Sequence, residues 1–273
     1  MSLEVFSVLS DEEREELEKA YEDIVGVECR KRNYLLLSFI FDAIECNELQ
    51  PIIITGRRGA GKSTYALKVV AQYFMRQGLS CGEAYLEALN RIVHTPKEFF
   101  DALKKYNDII IWDDAGVWLS TYFWYHPELR PYLIWFLNWF DTSRTDVKVL
   151  VFTTPTKKKL PPRVREDPES LHVRVRRVGT KIINGLKVKV AEAHIVVLDE
   201  SDYMNKLYTE DVGSDQYVVY LPDPVYRAYS IIRDGYHRLA KKMLGKVLVE
   251  KGLIPEELVE GYTYTSTEIK NLS

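Results

Sequence analysis

"PIIITGRRGAGKST", residues 51–64, is the stretch on which the fold turns. Ile52, Ile53 and Ile54 make a short β-branched run closed by Gly56, which is how a strand buried on both faces of a parallel sheet reads. Gly56, Gly59 and Gly61 then let the backbone curl tightly. "KSTYALKVVAQYFMRQG", residues 62–78, follows with helical apolar spacing and a terminal glycine. Strand, glycine loop and helix in this order predict an α/β fold built on a parallel sheet flanked by helices.

The loop has a second property. Gly56, Arg57, Arg58, Gly59, Ala60, Gly61, Lys62 and Ser63 satisfy GxxxxGK[ST], the P-loop or Walker A pattern. Successive N–H groups of such a loop face phosphate oxygens, the helix behind it adds its positive end, and Lys62 brings a full charge. Residues 56–64 are therefore the expected cradle for the phosphates of ATP, with Ser63 offering a hydroxyl to Mg2+ and Thr64 beside it. Arg57 and Arg58 are not demanded by that task. Downstream, "DIIIWDDAG", residues 108–116, reads as a buried strand ending in acids, a Walker B candidate. Asp113 would hold the metal, directly or through water, and Asp114 would polarise the attacking water. "DVKVLVFTTP", residues 146–155, ends its strand in Thr153 and Thr154, either of which would place a hydroxyl beside the γ-phosphate or simply cap the strand.

Working outward, Ser10 and Glu13 have capping-box spacing, so a helix starts near residue 10, and an apolar helix occupies about residues 31–46. "RIVHTPKEFFDALKKYN", residues 91–107, reads as a short strand, a Thr95 cap, Pro96 at the first helical position and a helix. "PELRPYLIWFLNWFDTSR", residues 127–144, is helical, with Leu133, Phe136, Leu137 and Phe140 on one face. The strand–helix alternation runs through about residue 156. From Leu171, apolar and charged residues alternate around Asn184-Gly185, the mark of a β-hairpin with one solvated face. A helix follows from Val225, and residues 262–273 form a polar tail. The resulting division is a helical segment over 1–48 packed on the core, a P-loop core over 49–165, and a hairpin-containing and helical C-terminal region over 166–273 that completes the same domain.

These motifs together resemble the additional-strand P-loop ATPases, which include AAA+ proteins, helicase loaders of the DnaC type, and packaging or Zot-like motors. The resemblance covers about residues 50–165; "PKEFFDALKKYNDIIIWDDAG" looks most like the helix-then-Walker-B stretch of DnaA and DnaC relatives, and the whole is similar to ATPases of archaeal viruses and plasmids. It implies an oligomeric, Mg2+-dependent ATPase in which Lys62, Asp114 and a sensor threonine (Thr153 or Thr154) carry catalysis. Arg163 or Arg165, soon after the sensor strand, would be a finger reaching a neighbour's γ-phosphate, or would contact DNA or an acid of its own surface. The Asp113–Asp114 pair, where many such enzymes have Asp-Glu, and the absence of an obvious helical lid are departures from the pattern. "DDAG" also fits the GTPase DxxG pattern, but "NKLY" at Asn205 lacks the aspartate of a guanine-reading NKxD. A nucleotide-switched protein-binding module and a small-molecule kinase remain as alternatives.

Net charge is −3, so any attraction to nucleic acid must be local. It is concentrated: residues 157–189 hold eleven basic residues against three acids and no aromatic residue, a composition suited to phosphate-backbone contact or to a protected edge hairpin. Arg174, Arg176, Arg177, Lys181, Lys187 and Lys189 are the candidate DNA contacts. All five tryptophans, from Trp112 to Trp139, fall in one stretch, and the aromatic loop "WLSTYFWYHP" is expected to serve the core, a subunit contact or DNA. No signal core or span-length apolar run is present, and Cys29, Cys46 and Cys81 lack metal-site spacing. The expectation is a cytoplasmic protein without a membrane segment, its thiols reduced, in the host cytoplasm if viral.

Overall fold

A computed structural model of the chain describes residues 8–125, 130–143, 146–183, 185–201 and 206–250. The chain divides into two compact units, residues 24–222 and a second formed by residues up to 23 together with those from 223 on.

The larger unit is built on a seven-stranded sheet in the order β2-β3-β4-β1-β5-β6-β7. β1 (Gln50–Thr55) lies between β4 (Val149–Thr154) and β5 (Leu171–Ile183) and runs parallel to both. β3 (Ile109–Trp112) and the short β2 (Ile92–Val93) continue the parallel arrangement beyond β4. The β-branched runs read from the sequence are thus central strands with both faces covered, and every residue of β3 and β4 is buried. Helices α2 (Leu35–Cys46), α3 (Lys62–Arg76), α4 (Cys81–Asn90), α5 (Pro96–Lys105) and α6 (Arg130–Thr142) flank the sheet. Capping boxes start two of them, Thr95 with Glu98 at α5 as its spacing predicts, and Ser80 with Glu83 at α4, a helix the hydrophobic pattern does not announce.

The tryptophan-rich stretch divides between core and surface. Trp112 is fully buried and stacks on Phe99 with ring centroids 4.6 Å apart, and Phe136 meets it edge-on. Trp124, Tyr125 and Trp135 are exposed. Part of the aromatic loop, residues 126–127, lies outside the described residues, as do Asn184 of the hairpin turn and the tail over 262–273.

Residues after 166 continue the same sheet. β5 pairs with β1 from Ile52↔Leu171 to Thr55↔Arg174, then runs on past the end of β1 as one arm of an antiparallel hairpin with β6 (Leu186–Ser201). β7 (Lys206–Val219) adds to β6 as far as Lys189↔Val219. Beyond that row, among the described residues, β5 and β6 pair only with each other. The hairpin expected to have one solvated face is therefore exposed on both faces from Arg176 to Ile182, where no layer of the described residues covers it.

The cysteines correct a second expectation. Cys29 and Cys81 are joined in a disulfide, and Cys46 is free and exposed. The cause is a close approach that spacing does not encode: a Cβ on Gly82 would sit 2.2 Å from the Ile24 carbonyl oxygen, so only glycine lets the chain after Ile24 press against the start of α4. Cys29 is carried there with it.

In the second unit, α8 (Asp223–Glu250) meets α1 (Asp11–Val25), whose capping box is Ser10 with Glu13. The Arg238 guanidinium donates to both Glu13 carboxylate oxygens, at 2.8 and 2.6 Å. No described helix is long and apolar enough to cross a membrane.

Candidate functional site

The loop from Gly56 to Gly61 leaves the C-terminal end of β1 and enters α3 at Lys62. Gly56 (φ 151°) and Gly61 (φ 101°) occupy backbone conformations that favour glycine, and both are also hemmed in. A Cβ at Gly56 would lie 2.4 Å from the Val175 carbonyl oxygen of β5, and one at Gly61 would lie 2.8 Å from both Val219 methyls of β7. Arg57, Arg58 and Gly59 are exposed, while Ala60 is buried and donates its N–H to the Arg57 carbonyl. That carbonyl also accepts from Lys62 Nζ at 3.4 Å, so the buried lysine stem folds back over its own loop. Thr64 is half-buried in the first turn of α3.

Asp113 directly follows β3 and is 1% exposed. One of its oxygens, Oδ1, accepts from Ser63 Oγ at 2.6 Å and from Thr153 Oγ1 at 2.5 Å. Because β4 lies between β1 and β3, the three C-terminal strand ends line up and bring loop, threonine and acid to one edge. The Thr153 hydroxyl in turn accepts from the Asp114 backbone N–H at 2.9 Å, which helps hold Asp114 in a left-handed conformation (φ 51°) at the start of a 3-10 turn, Ala115–Val117. The pleat directs the two threonines differently: Thr154 donates to the Thr156 carbonyl rather than to an acid. Gly116 is fixed by contact, since a Cβ there would lie 2.6 Å from Thr154 Oγ1.

The donor set suits magnesium. A serine hydroxyl and a carboxylate are hard oxygen ligands, and Mg2+ takes one or two from protein while phosphate and water fill the rest. Among the described residues no cluster of three His, Cys, Asp or Glu side chains is placed to hold a metal by itself.

Arg163 is not brought to this edge by any contact of its side chain to these groups; on the short α7 (Pro162–Arg165) it pairs with Asp141 of α6. Arg165 donates to Glu166 and to the carbonyls of Lys158 and Leu160. Of the hairpin cations, Arg176 pairs with Glu192 at 2.7 Å, whereas Arg174, Arg177, Lys181, Lys187 and Lys189 are exposed.

Sequence reasoning missed the contribution of β7. Tyr217, 1% exposed, donates its hydroxyl to the Gly61 carbonyl at 2.9 Å. Asp215, one pleat earlier, accepts from the Leu35 and Leu36 backbone N–H groups and from Tyr65 Oη, so it caps α2 from far along the chain and clamps the second turn of the P-loop helix. Burial and the neighbouring Asp215 carboxylate raise the Tyr65 pKa, keeping the phenol a donor. The only signal available was the alternation of Asp215, Tyr217 and Val219 in a segment otherwise broken by charges and glycine.

Strand order, loop and buried acid define a P-loop NTPase fold: a mostly parallel sheet flanked by helices, with β4 between β1, which leads into the glycine loop, and β3, which leads to Asp113. By sequence the chain belongs to the family of protein B-251 of Sulfolobus spindle-shape virus 1, itself uncharacterized, with which it is 33% identical over 217 residues spanning 77% of this chain and 83% of that protein. No family model matches. Among solved structures it is similar to the flagellar accessory protein FlaH from Methanocaldococcus jannaschii, at 12% identity and a TM-score of 0.25, over 60% of this chain and 89% of that one.

Proposed function

We propose that this protein is a Mg2+-dependent ATPase whose hydrolysis drives or gates work on DNA, as an oligomer, in viral or plasmid replication, loading or packaging within the host cytoplasm. The observation that carries the hydrolytic part is the Ser63–Asp113–Thr153 chain at the mouth of the P-loop. Ser63 and Asp113 would bind the cation, which neutralises charge on the β- and γ-phosphates. Lys62 would leave the Arg57 carbonyl for the phosphates. Thr153 orients both Asp113 and the Asp114 backbone, which fixes where the Asp114 carboxylate starts as it takes a proton from, or aligns, the attacking water. The DNA part rests on the exposed basic hairpin, and the oligomer on the position of Arg163 after the sensor strand.

Phosphate release measured with Mg2+, with EDTA, and with single- or double-stranded DNA tests this. Lys62→Ala and Asp113→Asn are each expected to remove turnover by at least about 100-fold, the scale of losing a principal electrostatic contact to the transition state. Undiminished turnover in Lys62→Ala would refute the site. DNA stimulation lost in Lys181→Glu/Lys187→Glu supports the nucleic-acid role; no DNA binding at low salt removes it.

A further inference from the structure

Pleat and register divide the basic hairpin into two chemically different faces. Partner rows run straight across the antiparallel strands: Val175–Ala193–Asp215, then Arg177–Ala191–Tyr217, then Thr180–Lys189–Val219. A register shift between Arg177 and Gly179 absorbs Val178, so Thr180 keeps the face of Arg177. This is the face on which Asp215 reaches Tyr65, Tyr217 reaches the Gly61 carbonyl, and Val219 lies against Gly61. On the opposite face Arg176 is paired with Glu192, which also accepts from Ser214, and His194 meets Asp211.

From this placement, and resting on the P-loop reading, we infer that Arg177 and Lys189 form a second contact to the nucleotide's polyphosphate, with the hairpin rising as a wall beside the cradle. Lys189 is the direct cross-strand neighbour of Val219, about 5 Å away by strand spacing. Arg177 stands one same-face step, about 7 Å, beyond Val175, whose carbonyl oxygen is what excludes a Cβ at Gly56. Both strands therefore pass the two ends of the phosphate loop before presenting a cation. Neither cation has an ion-pair or hydrogen-bond partner among the described residues, and both are exposed. A mobile polyphosphate reached by a flexible cation on each flank gains charge-assisted hydrogen bonds that a monophosphate cannot gain equally. The basic tip, Lys181 and Lys187, is left for another partner.

The test compares affinities of the full chain for fluorescent ATP and AMP analogues in wild type, Lys62→Ala, Arg177→Ala, Lys189→Ala, Arg177→Lys and Lys181→Ala, with DNA affinity measured in parallel. Arg177→Ala and Lys189→Ala are expected to weaken ATP by about tenfold each, the usual scale of a hydrogen bond to a charged group, with a smaller loss for AMP. Arg177→Lys should recover part of the loss, and Lys181→Ala should leave ATP affinity unchanged. If wild type binds ATP, Lys62→Ala abolishes binding, and both alanine variants stay within twofold of wild type, the inference fails while the P-loop reading stands. Loss of DNA affinity in those variants with ATP affinity intact also overturns it, in favour of DNA on the inner face. If wild type binds no nucleotide, both readings fall.

Discussion

Gly56 and Gly61 look alike in the motif but are constrained by different atoms, and the difference is measurable. At Gly56 the obstacle is the backbone carbonyl of Val175, one residue past the last β1–β5 pair and itself paired with Ala193 of β6, so it cannot move without disturbing the β5–β6 ladder. Gly56→Ala should therefore cost at least about 3 kcal/mol of stability and abolish ATP binding, read by denaturant unfolding and analogue titration. At Gly61 the obstacle is the pair of Val219 methyls, together with a positive φ that disfavours alanine in any case. Gly61→Ala should be less damaging, and Val219→Ala in the same chain should recover part of the loss. Additive effects in that double-mutant cycle would show that Val219 does not press on the loop. Asp113 and Ser63 were legible from motif spacing alone, whereas the choice of Thr153 over Thr154 as the partner of Asp113 was not. Adjacent strand residues point to opposite faces, and which face holds the acid depends on the order of β3, β4 and β1.

At the scale of elements, β1, β3 and β4 were legible because strands buried on both faces need unbroken β-branched runs, and β7 was not, because Asp211, Gly213 and Asp215 interrupt any such run. Asp215 interrupts it for a reason, since it caps α2 and fixes Tyr65. Asp215→Ala would leave two helix-start N–H groups and a buried phenol without their acceptor, an expected cost of about 2–4 kcal/mol, visible as a lower unfolding midpoint. β5 carries a pH dependence. Burial, helped by nearby Lys157, lowers the pKa of His172 to about 4 from its ordinary 6.5. Between those values the unfolded chain binds a proton that the folded chain refuses, so this histidine's contribution is whole above pH 6.5 and is lost as pH falls towards 4. Thermal melts should show a falling midpoint across that window, flattened in His172→Gln; an equally steep fall in the variant would assign the dependence to other groups.

Across the whole molecule, the covalent link between Cys29 and Cys81 is what local reading was least able to supply, since the two are 52 residues apart and meet through packing around Gly82. It closes a loop that contains α2, β1, the P-loop and α3, and so constrains the unfolded chain through that segment. A loop of that length corresponds to about 4 kcal/mol in the chain-entropy account, with about 2–4 typical of measured bonds. For a chain of this size that is a midpoint lowered by roughly 4–7 °C on reduction. Cys29→Ser/Cys81→Ser should melt at the temperature of the reduced wild type and gain nothing from oxidant. Its ATP affinity should stay close to wild type, because neither sulfur contacts the loop or Asp113. Thiol titration of the unreduced, denatured protein provides the independent check: one reactive thiol, Cys46, is expected, and three with a reductant-insensitive melt would remove the bond from this account.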